Sequence, residues 1–175
     1  SCEFFGATTT FRQLGDDVAR LADALRRLGV RAGDRVAIVL PNCPQHVVAF
    51  YAVLRLGAVV VEHNPLYTAH ELAGMFADHD ARVAIAWDVA APKLPSLDHV
   101  IAVNLLDAFP RLKRLALGLP VKKLRATRDR LHADAPGTTP WKTALKGSRL
   151  TASHPRPGLH DLALIQYTSG TTGNV

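Results

Sequence analysis

The stretch that decides the fold of this chain is RVAIVLPNCPQHVVAFYAVLRLGAVVVE, residues 35–62. It opens with the continuous apolar run 36–40, which has the length of a strand and the pattern of one that is buried on both faces. A longer apolar stretch follows at 47–56, Gly57 closes it, and 58–61 is again apolar and short. Strand, helix and strand in this order predict a parallel β-α-β unit with a crossover helix.

Helix start signals stand at three places around this unit. Asn42 is predicted to cap the helix of the unit, with Pro44 in the first turn and the last turn near Leu56. Thr10 with Gln13, and Thr68 with Glu71, each have the spacing of a capping box, in which side chain and backbone satisfy one another. Helices are therefore also expected from residue 11 to about 28 and from 69 to about 80.

Further strands are predicted at 82–87, 99–103 and 161–167. The fold class is therefore α/β, with a largely parallel sheet and crossover helices. The periodicity fails between 107 and 157, where glycines and prolines interrupt the chain, so a basic insertion of short helices and loops is expected there. The interpretation has three parts: an α/β core at 1–106, the insertion at 107–157, and a strand with its following loop at 158–175.

Composition excludes several classes of protein. The chain has 175 residues, 48% of them apolar, and two cysteines, Cys2 and Cys43, in no metal or redox spacing. A disulfide scaffold and a disordered chain are thus disfavoured, and a reducing cytoplasm is expected. The longest apolar stretch, 47–61, contains Arg55 and is shorter than the ~20 residues of a membrane span. Ser1 at the start suggests that native sequence is missing there.

The net charge of +6 is concentrated in one segment, Arg111 to Arg130, which holds eight basic residues and a single acid. Leucines and a valine alternate with these charges. Two interpretations stay open: a solvated face, or docking on an anionic membrane surface. Nucleic acid is not expected as a partner, because the segment lacks aromatic residues for base stacking.

The chemistry is predicted at the end of the chain. The apolar strand 162–165 runs into a loop of hydroxyl residues and glycines, consisting of Tyr167, Thr168, Ser169, Gly170, Thr171, Thr172 and Gly173. Backbone N–H groups and hydroxyls in such a loop can form a nest for phosphate oxygens at the carboxyl end of a strand. By composition alone a flexible Ser/Gly/Thr linker is the favoured interpretation. The loop matches neither a Walker A motif nor a Rossmann fingerprint, and it lacks the first glycine of a nucleophile elbow.

Residues 161–173, DLALIQYTSGTTG, resemble the signature loop of the adenylate-forming (AMP-binding) superfamily. The resemblance extends over nearly the whole chain, and NPLYT at 64–68 is similar to bacterial long-chain fatty-acid–CoA ligases. The family motif continues to a lysine, often after a proline; here the chain stops at Asn174-Val175. The resemblance therefore implies an amino-terminal piece of such an enzyme, with the carboxy-terminal domain absent.

The resemblance implies ATP-dependent activation of a fatty acid to acyl-AMP and then to acyl-CoA. ATP, Mg²⁺ and CoA are the implied cofactors and co-substrates, and residues 167–173 are the implied ATP-binding residues. Catalytic residues and metal ligands are not expected within this chain, which alone is expected to be inactive. The alternatives are a fatty-acyl-AMP ligase, an aryl-CoA ligase, an adenylation domain, or a nonenzymatic truncated product.

Other candidate sites are weaker. The pair His70-Glu71 begins like a zinc-protease motif, but Gly74 occupies the position of the second histidine. Cys43 stands at a helix start, where a thiol can have a lowered pKa, although a buried structural thiol is favoured. His63 is expected near the carboxyl edge of the sheet.

Overall fold

The computed structural model describes residues 1–167. The helices are α1 (Phe11–Arg27), α2 (Pro44–Arg55), α3 (Ala69–His79), α4 (Arg111–Leu117), α5 (Lys122–Leu131) and α6 (Trp141–Ala144). The strands are β1 (Cys2–Phe4), β2 (Ala7–Thr9), β3 (Arg35–Val39), β4 (Val59–Glu62), β5 (Val83–Trp87), β6 (His99–Val103), β7 (Thr139–Pro140) and β8 (Leu164–Gln166). Two 3-10 turns lie at Ala91–Lys93 and Leu105–Ala108.

Six of these strands form one sheet in the order β7-β6-β5-β3-β4-β8, and every pairing in it is parallel. The predicted α/β class with a parallel sheet is therefore confirmed. Strands β1 and β2 form a separate antiparallel hairpin that the sequence did not predict. Its two-residue turn is Phe5-Gly6, and both residues have positive φ, at 51° and 91°. Turns of this kind favour Asn-Gly, so Phe5 at the first position gives no sequence signal for the hairpin.

The apolar run of β3 is continuous because its residues alternate between two buried faces. Val36 and Ile38 belong to the larger core, together with Leu21 and Leu25 of α1, all fully buried. Ala37 points to the opposite face, where α3 packs against small side chains through its buried residues Leu72 and Phe76.

The local helix signals are mostly confirmed. Thr10 and Thr68 both make the reciprocal hydrogen bonds of a capping box, with Gln13 and Glu71 respectively. The prediction for Asn42 was wrong, because Cys43 occupies the N-cap and makes no side-chain capping bond. Proline at the first helical position holds the residue before it in an extended conformation, which places the boundary at Cys43.

The basic segment is held at its two ends by different parts of the fold, the β1–β2 hairpin and strand β5. The Nζ of Lys113 donates to the carbonyl oxygen of Phe5 at 2.7 Å, and the indole N–H of Trp87 donates to that of Leu131 at 3.0 Å. Beyond the segment, β7 extends the sheet beside β6, and Trp141 is buried in the core. The division of the chain at 107 and 157 stays a prediction. Within residues 1–167 no helix has the length and apolarity needed to cross a membrane.

Candidate functional site

A cavity of about 850 Å³ opens at the carboxyl ends of β3, β4 and β8. Its volume lies in the range of about 300–1,000 Å³ found for small-molecule sites. Apolar side chains from α2 and the sheet edge form much of its wall: Leu40, Val47, Phe50, Leu66, Trp87 and Leu164. Open parallel sheets bind ligands at this edge, so the cavity is the first candidate for a binding site.

Polar side chains also line the same cavity. His46 of α2 and Glu62 at the end of β4 lie 2.8 Å apart, between Nε2 and Oε1. Gln166 and His63 also line the wall. An apolar cavity lined by a few polar groups can hold an amphipathic ligand.

The predicted phosphate loop begins at this cavity. Strand β8 pairs with β4 so that Gln166 lies opposite Glu62, and Tyr167 follows directly. Tyr167 is the only residue of the predicted site that falls within the described part of the chain. Thr168, Ser169, Gly170, Thr171, Thr172 and Gly173 lie outside the described residues, and their assignment as ATP-binding residues stays a prediction.

Tyr167 is held by α3. Its hydroxyl donates to Oδ2 of Asp78 at 2.5 Å and lies 3.4 Å from the carbonyl oxygen of Met75. Burial, the hydrogen bond to Asp78 and the charge of that carboxylate raise the pKa of Tyr167 to about 12. The phenol is therefore protonated at neutral pH, and it acts as a hydrogen-bond donor that ties the end of β8 to the last turns of α3.

His63 lies beside Tyr167 at the carboxyl end of β4, as expected from the sequence, and is 4% exposed. Its ring stacks with those of Phe76 and Tyr167, with centroid distances of 5.2 and 5.6 Å and interplanar angles of 16° and 18°. Its Nε2 is 3.0 Å from Nε2 of His79. Burial, and secondarily the proximity of His79, lower the pKa of His63 to about 4, so its ring is neutral at neutral pH.

His79 was not among the residues predicted from the sequence. A signal was present, because His79 follows Leu72 by seven residues and Phe76 by three, which places it on the buried face of α3. A polar ring at a buried helical position needs a partner. The partner is on another element, so the sequence alone does not identify it.

The remaining candidates are structural. Cys43 is buried, and burial raises the pKa of its thiol to about 11, which confirms the favoured interpretation as an inert core thiol. In the described ranges no group of three or more His, Cys, Asp or Glu side chains could hold a metal ion. Away from the cavity, His132 Nδ1 lies 2.5 Å from Oδ2 of the buried Asp88 and links α5 to the end of β5.

The family described as AMP-binding enzyme matches residues 2–175. A long-chain-fatty-acid–CoA ligase of Bacillus subtilis is 38% identical over 97% of this chain and 31% of its own length. A protein of the same name from Salmonella typhimurium is 35% identical over 96% of this chain and 31% of its own length. The chain thus spans less than a third of the length of these curated relatives.

Solved structures share the fold. An anthranilate CoA ligase in complex with anthranoyl-AMP superimposes with a TM-score of 0.72 at 23% identity, over 94% of this chain and 28% of that one. An acetoacetyl-CoA synthetase from Streptomyces lividans gives a TM-score of 0.70 at 28% identity, over 95% of this chain and 24% of that one. The first similarity, below 25% identity, concerns the fold alone.

Proposed function

This chain belongs to the AMP-binding enzyme family, and we propose that it is the amino-terminal part of an ATP-dependent long-chain fatty-acid–CoA ligase. The observation that carries the proposal is the 38% identity to such a ligase over 97% of the chain. The place of β8 supports it, because Gln166 at the end of this strand lines a cavity of about 850 Å³ at the carboxyl edge of the sheet, and Tyr167 follows directly.

The proposed reaction has two steps. A carboxylate oxygen of the fatty acid attacks the α-phosphorus of ATP, the bond to the β-phosphate oxygen breaks, and acyl-AMP and pyrophosphate form. The thiolate of CoA then attacks the acyl carbon, and AMP leaves with the electrons of the acyl–oxygen bond. In this scheme the loop 168–173 holds the phosphates through backbone N–H groups and hydroxyls, which stabilise charge as pyrophosphate departs.

Mg²⁺ belongs to the proposal as a companion of the ATP phosphates. It usually binds through substrate phosphates and one or two carboxylates, with several waters retained. The described residues include no three-carboxylate or histidine cluster that fits a resident metal, so none of them is assigned to the ion. When bound, it would neutralise phosphate charge. The contribution of this chain is the cavity, the anchored Tyr167 and the loop that follows.

ATP–pyrophosphate exchange with a long-chain acid tests this proposal in the complete enzyme, meaning the proposed longer protein that contains this chain. Removing one preorganised donor costs about a hundred- to a thousandfold in rate. Thr171→Ala and Thr172→Ala should therefore slow exchange by that order. Gly170→Val should be at least as damaging, because a β-branched side chain restricts the backbone.

Thr127→Ala is the matched control, since its hydroxyl only donates to the carbonyl of Lys123 on the surface of α5. Unchanged exchange in the Thr171 and Thr172 variants would reject the phosphate assignment. If the 175-residue chain alone catalysed exchange efficiently, the prediction that the catalytic residues lie outside this chain would be wrong. Intact exchange without any release of AMP on addition of CoA would favour the rival fatty-acyl-AMP ligase.

A second proposal, docking on an anionic membrane, is supported by the surface of the basic segment. Leu112 and Leu115 of α4 are 81% and 70% exposed, and Leu119 and Val121 in the turn after it are also exposed. These apolar residues stand among lysines and arginines on a segment that is anchored at both ends. An exposed apolar and basic surface is suited to the headgroup region of an anionic bilayer, from which a fatty acid could be collected.

Lys122 and Lys123 give the sharpest test, because neither makes an ion pair among the described residues, whereas Lys113 and Arg114 are engaged by Phe5 and Asp107. Each basic residue near an anionic surface contributes ~1 kcal/mol. Changing both to Gln should weaken binding to phosphatidylserine vesicles by ~2 kcal/mol, or roughly thirtyfold.

The control variant is Lys146→Gln with Arg156→Gln, which removes the same charge outside the segment. High salt should weaken the parent protein as well. If the Lys122/Lys123 variant and the control variant bound the vesicles equally well, or if the parent did not bind them, the membrane proposal would be wrong. The basic segment would then be a solvated face.

A further inference from the structure

Two parts of Tyr167 are held by separate contacts. Its hydroxyl donates to Asp78 in the last turn of α3, and its ring lies almost parallel to that of His63. The ring of Phe76 is also nearly parallel to that of His63, so near-parallel ring contacts connect α3, the end of β4 and the end of β8. A phenol fixed at its hydroxyl and along its ring keeps little rotational freedom. The position of the backbone at Tyr167 is therefore set by these neighbours.

The hydrogen bonds behind the stack permit one arrangement of protons. The backbone N–H of Ala81 donates to Nδ1 of His79 at 3.1 Å, so that nitrogen carries no proton. In the neutral ring the proton of His79 is then on Nε2, which donates to Nε2 of His63 at 3.0 Å. His63 consequently carries its own proton on Nδ1. The tautomer of His79 is thus set by the backbone N–H of Ala81, and the tautomer of His63 by the Nε2–H of His79.

This arrangement has a cost that a purely apolar core would avoid. Nδ1 of His63 is buried and has no hydrogen-bond partner among the residues described. An unpaired buried donor destabilises a fold by ~1–3 kcal/mol. Leucine or phenylalanine would fill the same place without that cost. The polar pair at this position therefore suggests a role other than stability.

We propose that His63 and His79 are positioning residues that hold Tyr167, and through it the point where segment 168–173 leaves β8, at the carboxyl edge of the sheet. The proposal rests on the function proposed above, in which that segment holds the phosphates of ATP. His79 orients the ring of His63, and His63 stacks on Tyr167. His63 also lines the cavity wall, but in this scheme both histidines act through Tyr167 and not on the reacting atoms. Their effect is on the adenylation step, in which the loop has to hold departing pyrophosphate.

The test compares both half-reactions of the complete enzyme. Displacing a positioned group by about 1 Å can cost a hundredfold in rate. We expect His63→Leu, which keeps an apolar side chain but removes the aromatic face, to slow ATP–pyrophosphate exchange at least tenfold. Thioester formation from supplied acyl-adenylate should stay within twofold. His63→Phe keeps the stack and should retain exchange within about threefold of the parent.

Val53→Ala is the control for lost folding, since Val53 is fully buried on the opposite side of the sheet, in the α1 and α2 core. A smaller folded fraction lowers both half-reactions in equal proportion, whereas loss of positioning affects only the first. If His63→Leu does not fold, the double variant with His63→Phe and His79→Phe is measured in its place. We expect that double variant to retain more exchange than His79→Phe alone, which leaves His63 without the donor that orients it.

Three results would overturn the proposal. The first is an exchange rate of His63→Leu within twofold of the parent while Thr172→Ala is slow. In that case the loop would bind phosphate without needing the two histidines. Another is an equal loss of both half-reactions in His63→Leu. The third is an imidazole ¹⁵N spectrum that places the proton of His63 on Nε2. If Thr172→Ala and His63→Leu both leave exchange unchanged, the proposed function fails, and this inference fails with it.

Discussion

Acidification should destabilise this fold through His63. Burial lowers the pKa of His63 from its ordinary value of 6.5 to about 4, so the unfolded chain binds the proton more readily than the folded one. Stability therefore rises with pH between these two values. The contribution is complete above pH 6.5 and is lost as the pH falls toward 4. His79, whose pKa burial also lowers, acts in the same direction.

The size of the effect follows from the shift. One pKa unit corresponds to about 1.4 kcal/mol, so the full contribution is about 3 kcal/mol, of which about 2 kcal/mol is lost between pH 7.5 and pH 5. Most carboxylates stay ionised in this range. A loss of this size is a large fraction of the 5–15 kcal/mol that typically stabilises a domain.

Urea unfolding at pH 7.5 and pH 5.0, followed by tryptophan fluorescence, measures the loss. His63→Phe keeps the stack with Phe76 and Tyr167 but cannot titrate, so the pH dependence of the variant should be smaller than that of the parent by about 2 kcal/mol. His70→Gln, at an exposed position, controls for loss of an imidazole. If parent and His63→Phe lose equal stability on acidification, His63 is not the buried neutral group that the geometry indicates.

Three further predictions concern other parts of the molecule. Cys43, with its pKa raised to about 11 by burial, should resist a disulfide reagent at pH 8 in the folded chain, so that two rapidly reacting thiols would contradict its placement. Thr68→Ala should lower the free energy of unfolding by ~1 kcal/mol through loss of the capping box, with Thr127→Ala as a control near zero. Exchange by the complete enzyme should rise from acetate to long-chain acids, and a preference for acetate or aryl acids would contradict the proposed substrate.

Some features of this protein were determined by local sequence. The capping boxes at Thr10 and Thr68 involve residues three apart, so the chain specifies them without help from the rest of the fold. The apolar run of β3 likewise indicates burial on both faces, and Val36, Ala37, Ile38 and Val39 are all fully buried. The position of the loop directly after a strand followed from the same reasoning.

The hairpin at the start of the chain shows where local reasoning ends. Phe5 has a positive φ, which residues with a Cβ rarely adopt, so the sequence around it does not predict a turn. Tertiary contacts stabilise this unfavourable backbone conformation of Phe5. The ring of Phe5 stacks on Phe109 at a centroid distance of 4.8 Å, and Lys113 donates to its carbonyl oxygen. Neither contact is visible in residues 1–9.

The sequence by itself determined the α/β class, the approximate elements and the place of the loop, because helix and strand periodicity are encoded within a few turns of chain. Only the tertiary structure decided the order β7-β6-β5-β3-β4-β8, in which β8 pairs with β4 about a hundred residues earlier. It also decided that His63, His79 and Tyr167 meet. An apolar pattern specifies which face of a strand is buried. The neighbour it is buried against depends on how side chains from distant elements fill the same space.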